Sequence, residues 1–301
     1  MRRLAPSGES SYAMPISAIA LSLSIHTLWG GNAVAVKWTL EVFPPMWSGF
    51  FRFTIGAICV ALWALTTHKS LWPQRSEWPG LAIISALFAL QIWTMNLGFA
   101  GTSGSLGSLL ISLNPLFAAL FARFFIATDL LSWKKLAGLL VALIGTAIVL
   151  SPRTSSGALE FARASNWIMV GSAALLGARL MYSARLIRQH GETRVIFWMM
   201  CLSLPLFALG GTTFETIAWE ALAWRPIAGL LYQGVVIAGL AFMVNSFLMR
   251  HYSPSIVVSF NFVSPIAGVA LSVWLLDEQL NSALIAGMAC VALGLTLITR
   301  R

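Results

Sequence analysis

Four side chains that could take part in chemistry follow one another along a short stretch near the start of the chain. Ser22, His26, Trp29 and Asn32 are spaced by four, three and three residues, so in a helix they share one face. A histidine exchanges protons near neutral pH, an indole stacks on apolar or aromatic groups, and an amide both donates and accepts hydrogen bonds. The spacing favours the wall of a cavity that binds a solute, and hydrogen bonds to neighbouring helices are the alternative.

Further candidates stand in later apolar stretches. Arg179 is the only charged residue between positions 164 and 184, and its planar guanidinium suits a carboxylate. The alternative is that it extends toward the interface beside Arg185 and Arg188. For Arg52, the other charged residue inside an apolar stretch, the sequence favours a side chain that reaches the nearer interface. The remaining predicted binding residues are Gln91, Trp93, Asn96, Ser112, Tyr232 and Asn261.

The elements that must position these residues are membrane helices. Of the 301 residues, 58% are hydrophobic and 10% are charged, whereas soluble domains average about 25% charged residues. Nine blocks contain at most one charge, and one of them, 78–122, is long enough for two helices of about 20 residues. The sequence thus predicts an all-α polytopic membrane protein with ten transmembrane helices. They are predicted at about 16–36, 46–66, 80–100, 104–125, 134–151, 166–187, 194–213, 226–249, 254–276 and 280–299.

The distribution of positive charge predicts the orientation of these helices. With a cytoplasmic N-terminus, thirteen of the 19 Lys and Arg residues fall on cytoplasmic segments, four on outer segments, and Arg52 and Arg179 inside the blocks. Positively charged loops stay on the cytoplasmic side, so both termini are predicted to be cytoplasmic. The net charge of +9 is then a feature of membrane topology, and no nucleic-acid partner is implied.

Reporter fusions test this topology. Fusions after Arg75 and Arg194 are expected to report the cytoplasm, and fusions near Ser156 and Glu215 the periplasm, because the loops that carry them alternate across the bilayer. Alkaline phosphatase and a fluorescent protein, fused at the same positions, provide complementary measurements. The reverse pattern would contradict both the orientation and the repeat described next.

An internal repeat divides the chain into an N-terminal unit, 1–151, and a C-terminal unit, 152–301. Residues 103–151 resemble residues 253–301, with ordered landmarks in both: a Ser-x-Ser pair, a mid-helix proline, an acid after the helix and a glycine pair. Each unit holds five predicted helices, and because five is odd the second unit enters the membrane from the opposite side. Two inverted five-helix repeats are typical of secondary transporters, which bind their solute near the midplane between the repeats.

Proline occurs at equivalent positions of the two repeats, as Pro115 and Pro265. A proline inside a helix removes one backbone hydrogen bond and bends or breaks the helix. Paired interruptions in corresponding segments point to the substrate site of a transporter, so both prolines are predicted to act as hinges. A bend that only shapes the bundle is the alternative.

Motifs over nearly the whole chain resemble the drug/metabolite transporter superfamily, EamA type. They are LWGGNAVAVKW, PPMWSGFFRF and NPLFAALFARFFIATDLLSWKKLAGLLVALIGTAIVL, with a second copy of the last pattern in SPIAGVALSVWLLDEQLNSALIAG. Within that superfamily the chain is most similar to the YddG-type amino-acid exporters. One departure is Asp129, where the family more often has glutamate. The resemblance implies ten helices, two inverted repeats and solute export.

Together these features predict a secondary transporter of the cell inner membrane that exports amino acids by alternating access through a central cavity. Aromatic and other neutral amino acids are the expected substrates. All ten Asp and Glu residues lie at block edges, so facilitated export is favoured, with proton coupling through His26 left open. The alternative is another small metabolite or drug, such as a quaternary ammonium compound or a nucleoside- or sugar-like solute.

No sequence pattern indicates an enzyme, a metal site or a cofactor. The chain has neither an H-E-x-x-H nor a G-x-x-x-x-G-K-[ST] motif, and Cys59, Cys201 and Cys290 stand isolated in different blocks. The expected partners are an amino-acid substrate and the lipid bilayer, and we expect the protein to act as a monomer.

Overall fold

Every regular element in the described part of the chain is helical. The predicted site residue Asn261 and most of the predicted helix 134–151 lie outside that part. The computed structural model describes residues 14–125, 164–252, 260 and 263–299, together with seven single positions between 137 and 148.

Five α-helices of the first half of the chain have described bounds, and two pairs of consecutive helices are separated by only two residues. They are α1 (Ile16–Thr39), α2 (Pro45–Thr66), α3 (Trp78–Gly101), α4 (Gly104–Ile111) and α5 (Asn114–Phe125).

Among the described residues of the second half there are six α-helices and one stretch of wider π-helix, which joins α8 to α9 without a break. These elements are α6 (Ala164–His190), α7 (Glu192–Phe214), α8 (Trp224–Leu231), the π-helical segment (Tyr232–Ala241), α9 (Phe242–His251), α10 (Val263–Leu275) and α11 (Ser282–Thr299).

Six helical stretches of the described residues are long and apolar enough to cross a membrane. Three further apolar helices are shorter. This composition and the exposed rows of large apolar side chains are those of a polytopic membrane protein, in which lipid rather than water covers the outer surface. The six stretches are Ile16–Thr39, Pro45–Thr66, Arg75–Gly101, Ala164–His190, Glu192–Phe214 and Trp224–Asn245.

A break between α4 and α5 divides the segment 104–125, where the sequence predicted one helix. Pro115 has no N–H to donate to the carbonyl of Ile111, and its ring crowds that carbonyl, which favours a break in the helix here. The side chains of Ser112 and Asn114 donate to carbonyls one turn earlier, at 2.6 and 2.9 Å. The polar side chains thus satisfy backbone acceptors that the break leaves without N–H partners.

Pro265 lies in α10, which is described from Val263 onward.

The broadest helix contacts join the first half of the chain to the second: α1 packs on α10, α2 on α7 and α3 on α6. Glycines allow this close approach. A Cβ atom placed at Gly30 of α1 would lie 2.6 Å from Ala267 Cβ, 2.7 Å from Gly268 N and 2.8 Å from the Ser264 carbonyl oxygen, all in α10. Small residues at such contacts are how membrane helices gain packing energy, since lipid already surrounds their apolar side chains.

Two carboxylates cap helices that belong to the other half of the chain. Glu215, just beyond α7, accepts from the backbone N–H of Met46 at 2.9 and 3.0 Å and from that of Trp47 at 3.2 Å. Partial burial raises the pKa of the Glu215 carboxyl, and the two N–H donors act against that rise. Glu278 accepts from the N–H groups of Gly104 and Ser105 at 2.6 and 2.9 Å. Negative charge at these positions complements the helix dipoles of α2 and α4.

An ion-pair cluster joins the start of α3 to the junction of α6 and α7. Glu77, whose side chain is 4% exposed, lies 2.9 and 3.2 Å from Arg194 Nη1 and 3.2 Å from His190 Nδ1. A second pair on the same side, Lys69 and Glu192, is 2.8 Å apart with side chains 36% and 22% exposed. The carboxylate of the first pair is buried, whereas both side chains of the second pair are partly in solvent, so the two pairs can be compared.

Candidate functional site

An aromatic cluster surrounds the middle of α1. The His26 ring centroid lies 5.3 Å from that of Trp29 and 6.5 Å from that of Phe260, and the Trp29 ring lies 6.1 Å from that of Phe242. His26 is buried, and its Nδ1 donates to the carbonyl oxygen of Ser22 at 2.7 Å, which assigns a proton to Nδ1. Trp29 is half-buried and presents an aromatic face to α9.

Hydrogen bonds from two other elements fix α1 at this level. The Ser264 hydroxyl of α10 donates to the His26 carbonyl at 2.9 Å, and the Tyr232 hydroxyl donates to the Leu28 carbonyl at 2.7 Å. Gly31 makes room for the tyrosine, since a Cβ there would lie 2.6 Å from its hydroxyl oxygen. His26, Trp29 and Tyr232, predicted separately as site residues, are therefore brought together. Asn32, one turn beyond Trp29, has a buried Oδ1 that no described group bonds.

A second polar strip lies between α3 and α6. Gln91 Nε2 donates to the Ser172 hydroxyl at 3.3 Å, and that hydroxyl donates to the Gln91 carbonyl at 3.0 Å. Phe88 lies one turn before Gln91 on α3, and Arg179 lies about two turns after Ser172 on α6. The Arg179 guanidinium carbon is 4.9 Å from the centroid of the Phe88 ring. Arg179 is 8% exposed, so it does not extend to the interface with its neighbours Arg185 and Arg188. Two predicted residues, Gln91 and Arg179, thus share one helix interface.

The other predicted residues lie apart from both groups. Asn96 Nδ2 donates to the Pro45 carbonyl at 2.9 Å and so joins α3 to the start of α2. Ser112 lies at the break between α4 and α5, and Trp93 is half-buried on α3.

The position of the Arg52 side chain shows that the prediction for this residue, a side chain that reaches the nearer interface, was wrong. Its side chain is 3% exposed, and Nη1 donates to Gln233 Oε1 at 3.2 Å. Gln233 Nε2 in turn donates to the Thr39 hydroxyl at 2.7 Å and to the Ala35 carbonyl at 3.1 Å. The side chain turns inward because Gln233 of the π-helical segment accepts its hydrogen bond, and α1 in turn holds Gln233 in place. The available signal in the sequence was that Arg52 is the only charge in a 27-residue apolar block, 42–68.

These groups equip the interior to hold an organic solute. Aromatic rings on α1, α9 and Phe260 offer faces for apolar or aromatic groups, and buried guanidiniums offer planar donors for an anion. Among the described residues, no three His, Cys, Asp or Glu side chains cluster as metal ligands would. The described acids stand at helix ends and in loops, away from the middle of the spans.

All described elements are helical and several buried polar side chains face the interior, as in polytopic membrane transporters. The chain is a member of the EamA-like transporter family, whose model matches residues 16–151 and 164–300. That family is part of the drug/metabolite transporter superfamily, as the sequence motifs predicted.

Relatives similar over almost their whole length carry transporter names. A "probable terminal-alkyne amino-acid exporter" of Streptantibioticus cattleyicolor is 25% identical, over 94% of this chain and 93% of that protein. A "probable amino-acid metabolite efflux pump" of Salmonella typhimurium is 23% identical, over 91% and 92%. An "uncharacterized transporter" of Synechocystis is 25% identical, over 91% and 87%.

A solved crystal structure shares the fold. It superimposes with a TM-score of 0.69 over 93% of this chain and 96% of that chain, at 21% sequence identity. At this identity the likeness concerns the fold alone.

Proposed function

We propose that this transporter exports amino acids, aromatic and other neutral ones, across the cell inner membrane. The solute crosses by alternating access through a central cavity between two inverted five-helix repeats, and both termini lie in the cytoplasm. Two separate matches to one family model, 16–151 and 164–300, support the division into repeats. The contacts of α1 with α10 and of α3 with α6 join the two halves of the chain, which supports a solute site between the repeats.

The observation that carries the proposal is the aromatic cluster on α1. Trp29 lies where α1, α9 and the region of Phe260 and α10 meet, and it is half-buried rather than sealed in the core. An indole in this position packs against an apolar or aromatic side chain of a solute without demanding one shape. That tolerance fits a broad range of neutral amino acids. The names of the Streptantibioticus and Salmonella relatives support the same class of substrate.

A quaternary ammonium or other cationic drug was the alternative solute class. Aromatic faces bind such cations, so the cluster on α1 is compatible with them. The buried positive charges of Arg52 and Arg179 disfavour them, because a cation brought between these helices would meet two like charges. The amino-acid proposal is therefore preferred.

Replacing Trp29 by alanine tests the proposal in proteoliposomes. Counterflow of phenylalanine and tryptophan is expected to weaken by about 1–3 kcal/mol in apparent affinity, since one ring contact is lost, while alanine and glycine change little. The matched control is Trp274→Ala, because Trp274 near the end of α10 is 74% exposed. An equal loss for bulky and small amino acids, or an equal effect of the control, would contradict a binding role for Trp29. Absence of amino-acid counterflow in the unmodified protein would contradict the proposed function itself.

A further inference from the structure

Two arginines from different halves of the chain are buried in the interior. Arg52 of α2 is 3% exposed and Arg179 of α6 is 8% exposed. The Nε of each is buried without a hydrogen-bond partner. Arg52 donates to Gln233, a neutral side chain, and no hydrogen bond or ion pair joins Arg179 to another described residue. Both guanidiniums thus keep donors that the surrounding protein does not use.

Each guanidinium packs against one of two phenylalanine rings that contact each other. The Arg52 carbon Cζ is 4.9 Å from the Phe53 ring, the Arg179 Cζ is 4.9 Å from the Phe88 ring, and the two rings are 4.5 Å apart at 63°. Both guanidiniums are cations in an interior from which water is excluded, so their positive charges repel. Ring faces stabilise each cation in part, but they provide no acceptor for its N–H groups.

The described part of the chain supplies no counter-ion for this pair. Its acids stand at helix ends or in loops, and the buried one, Glu77, is already paired with Arg194. A buried charge without a partner is costly, and in membrane proteins such charges mark ligand sites. An anion between the two arginines would satisfy the unused donors and remove the repulsion.

Carboxylate is the anion that the rest of the interior favours. Gln233 connects Arg52 to α1 at Ala35, which is six residues beyond Trp29 and so about 9 Å farther along the helix. That separation is comparable with the length of an aromatic amino acid. A solute with its carboxylate near Arg52 and Arg179 can therefore direct its side chain toward the cluster on α1. Planar guanidiniums bind planar carboxylates through paired hydrogen bonds.

We propose that Arg52 and Arg179 together form an anion site that binds the carboxylate of the transported solute, so that the substrate class is defined by a free carboxylate. The inference rests on the proposed function for the identity of the solute as an amino acid. Among the described residues, no acid is placed beside the pair to receive an ammonium group, so we expect the amino group to be dispensable for recognition. N-acylated amino acids and simple aromatic carboxylic acids accordingly belong to the same substrate class, whereas amides and amines do not.

Competition by a matched set of compounds tests this on the full-length protein in proteoliposomes. Uptake of labelled phenylalanine is measured in the presence of one unlabelled competitor at a time: N-acetylphenylalanine, phenylalaninamide or phenethylamine. N-acetylphenylalanine is expected to compete within a few-fold of phenylalanine, and the other two at least 10- to 100-fold more weakly, because each loses charge-assisted hydrogen bonds. Equal competition by phenylalaninamide would overturn the proposal, and this arm needs no variant to fold.

Substitution of the arginines supplies the second arm. Arg52→Gln and Arg179→Gln are each expected to weaken competition by N-acetylphenylalanine by about 10- to 100-fold and to leave the weak competition by phenylalaninamide unchanged. Arg52→Lys and Arg179→Lys should restore part of the preference, since they keep the charge but lose the planar fork. The control is Arg225→Gln, an exposed arginine stacked beside Trp224, which should behave as the unmodified protein. A uniform loss for both compounds would assign the arginines a purely structural role.

The outcomes separate this inference from the proposed function. Phenylalanine transport without discrimination against the amide overturns the inference and leaves amino-acid export standing. Arginine-dependent transport of carboxylic acids without transport of amino acids supports the inference and overturns amino-acid export. Thermal stabilisation by sodium chloride, unaffected by any carboxylate and lost in Arg52→Gln, would identify an inorganic-anion site instead and overturn the inference.

Discussion

Replacing Gly30 by alanine is expected to reduce transport more than tenfold and to destabilise the folded protein by about 3 kcal/mol. The added methyl would overlap Ala267 Cβ, Gly268 N and the Ser264 carbonyl oxygen of α10 at 2.6–2.8 Å. Two of these are backbone atoms that cannot rotate away, so α1 and α10 must separate. Their separation also removes the hydrogen bond from Ser264 to His26 and moves Trp29.

The matched control for this experiment is Gly171→Ala in α6. Apart from the backbone of its own helix turn, no heavy atom lies within 4 Å of a Cβ placed at Gly171, so the same substitution meets open space. Its stability should stay level or rise by up to about 1 kcal/mol, since alanine favours a helix more than glycine does. Thermal unfolding in detergent, followed by fluorescence, and proteoliposome flux provide the two measurements. Similar behaviour of both variants would mean that α1 and α10 are not in tight contact.

Glu77→Gln is expected to lower stability by about 3 kcal/mol. The glutamine keeps the size of the side chain but removes the negative charge that Arg194 and His190 both contact. The Arg194 guanidinium then lacks its counter-ion, which destabilises the fold. In the unmodified protein these contacts hold the start of α3 against α6 and α7, so we expect that junction to loosen in the variant. Thermal unfolding and the fraction of protein that elutes as a single species in detergent report the effect.

Lys69→Gln gives the comparison for the Glu77 variant. It breaks the ion pair with Glu192 on the same side of the protein, but both side chains there are partly in solvent. Exposed pairs contribute about 0.2–1 kcal/mol, so unfolding should change little. A loss in Lys69→Gln as large as that in Glu77→Gln would show that burial does not set the strength of these pairs.

The positions of the long helices were predictable because the bilayer imposes a simple constraint. A span needs about 20 residues without charge, and charges therefore mark its ends. The predictions for 16–36, 46–66 and 80–100 agree within three residues with α1, α2 and α3. A proline signalled the interruption in the segment that became α4 and α5. That the helix ends there rather than bends depends on side chains that bond the freed carbonyls.

The direction of buried polar side chains was not predictable in the same way. Arg52 turns inward because Gln233, 181 residues away in sequence, lies opposite it, and no local pattern on α2 reveals that neighbour. The pairing of His26 and Trp29 on one face followed from helical spacing. Their contacts with Phe242 and Phe260 depend on how distant helices pack. Periodicity defines a face of a helix, whereas tertiary packing decides what that face meets.

A ribosome that has made only the first half of this protein has inserted helices whose best neighbours do not yet exist. α1, α2 and α3 pack most broadly on α10, α7 and α6, all of which are synthesised later. Until α6 and the π-helical segment leave the insertion machinery, Gln91 and Arg52 lack their partners Ser172 and Gln233. Assembly of the bundle therefore follows insertion of its helices, as lateral association within the bilayer. We expect a chain truncated near its midpoint to remain unassembled and to be degraded by membrane proteases. Two half-length chains made in the same cell should associate, because the broadest helix contacts join the two halves.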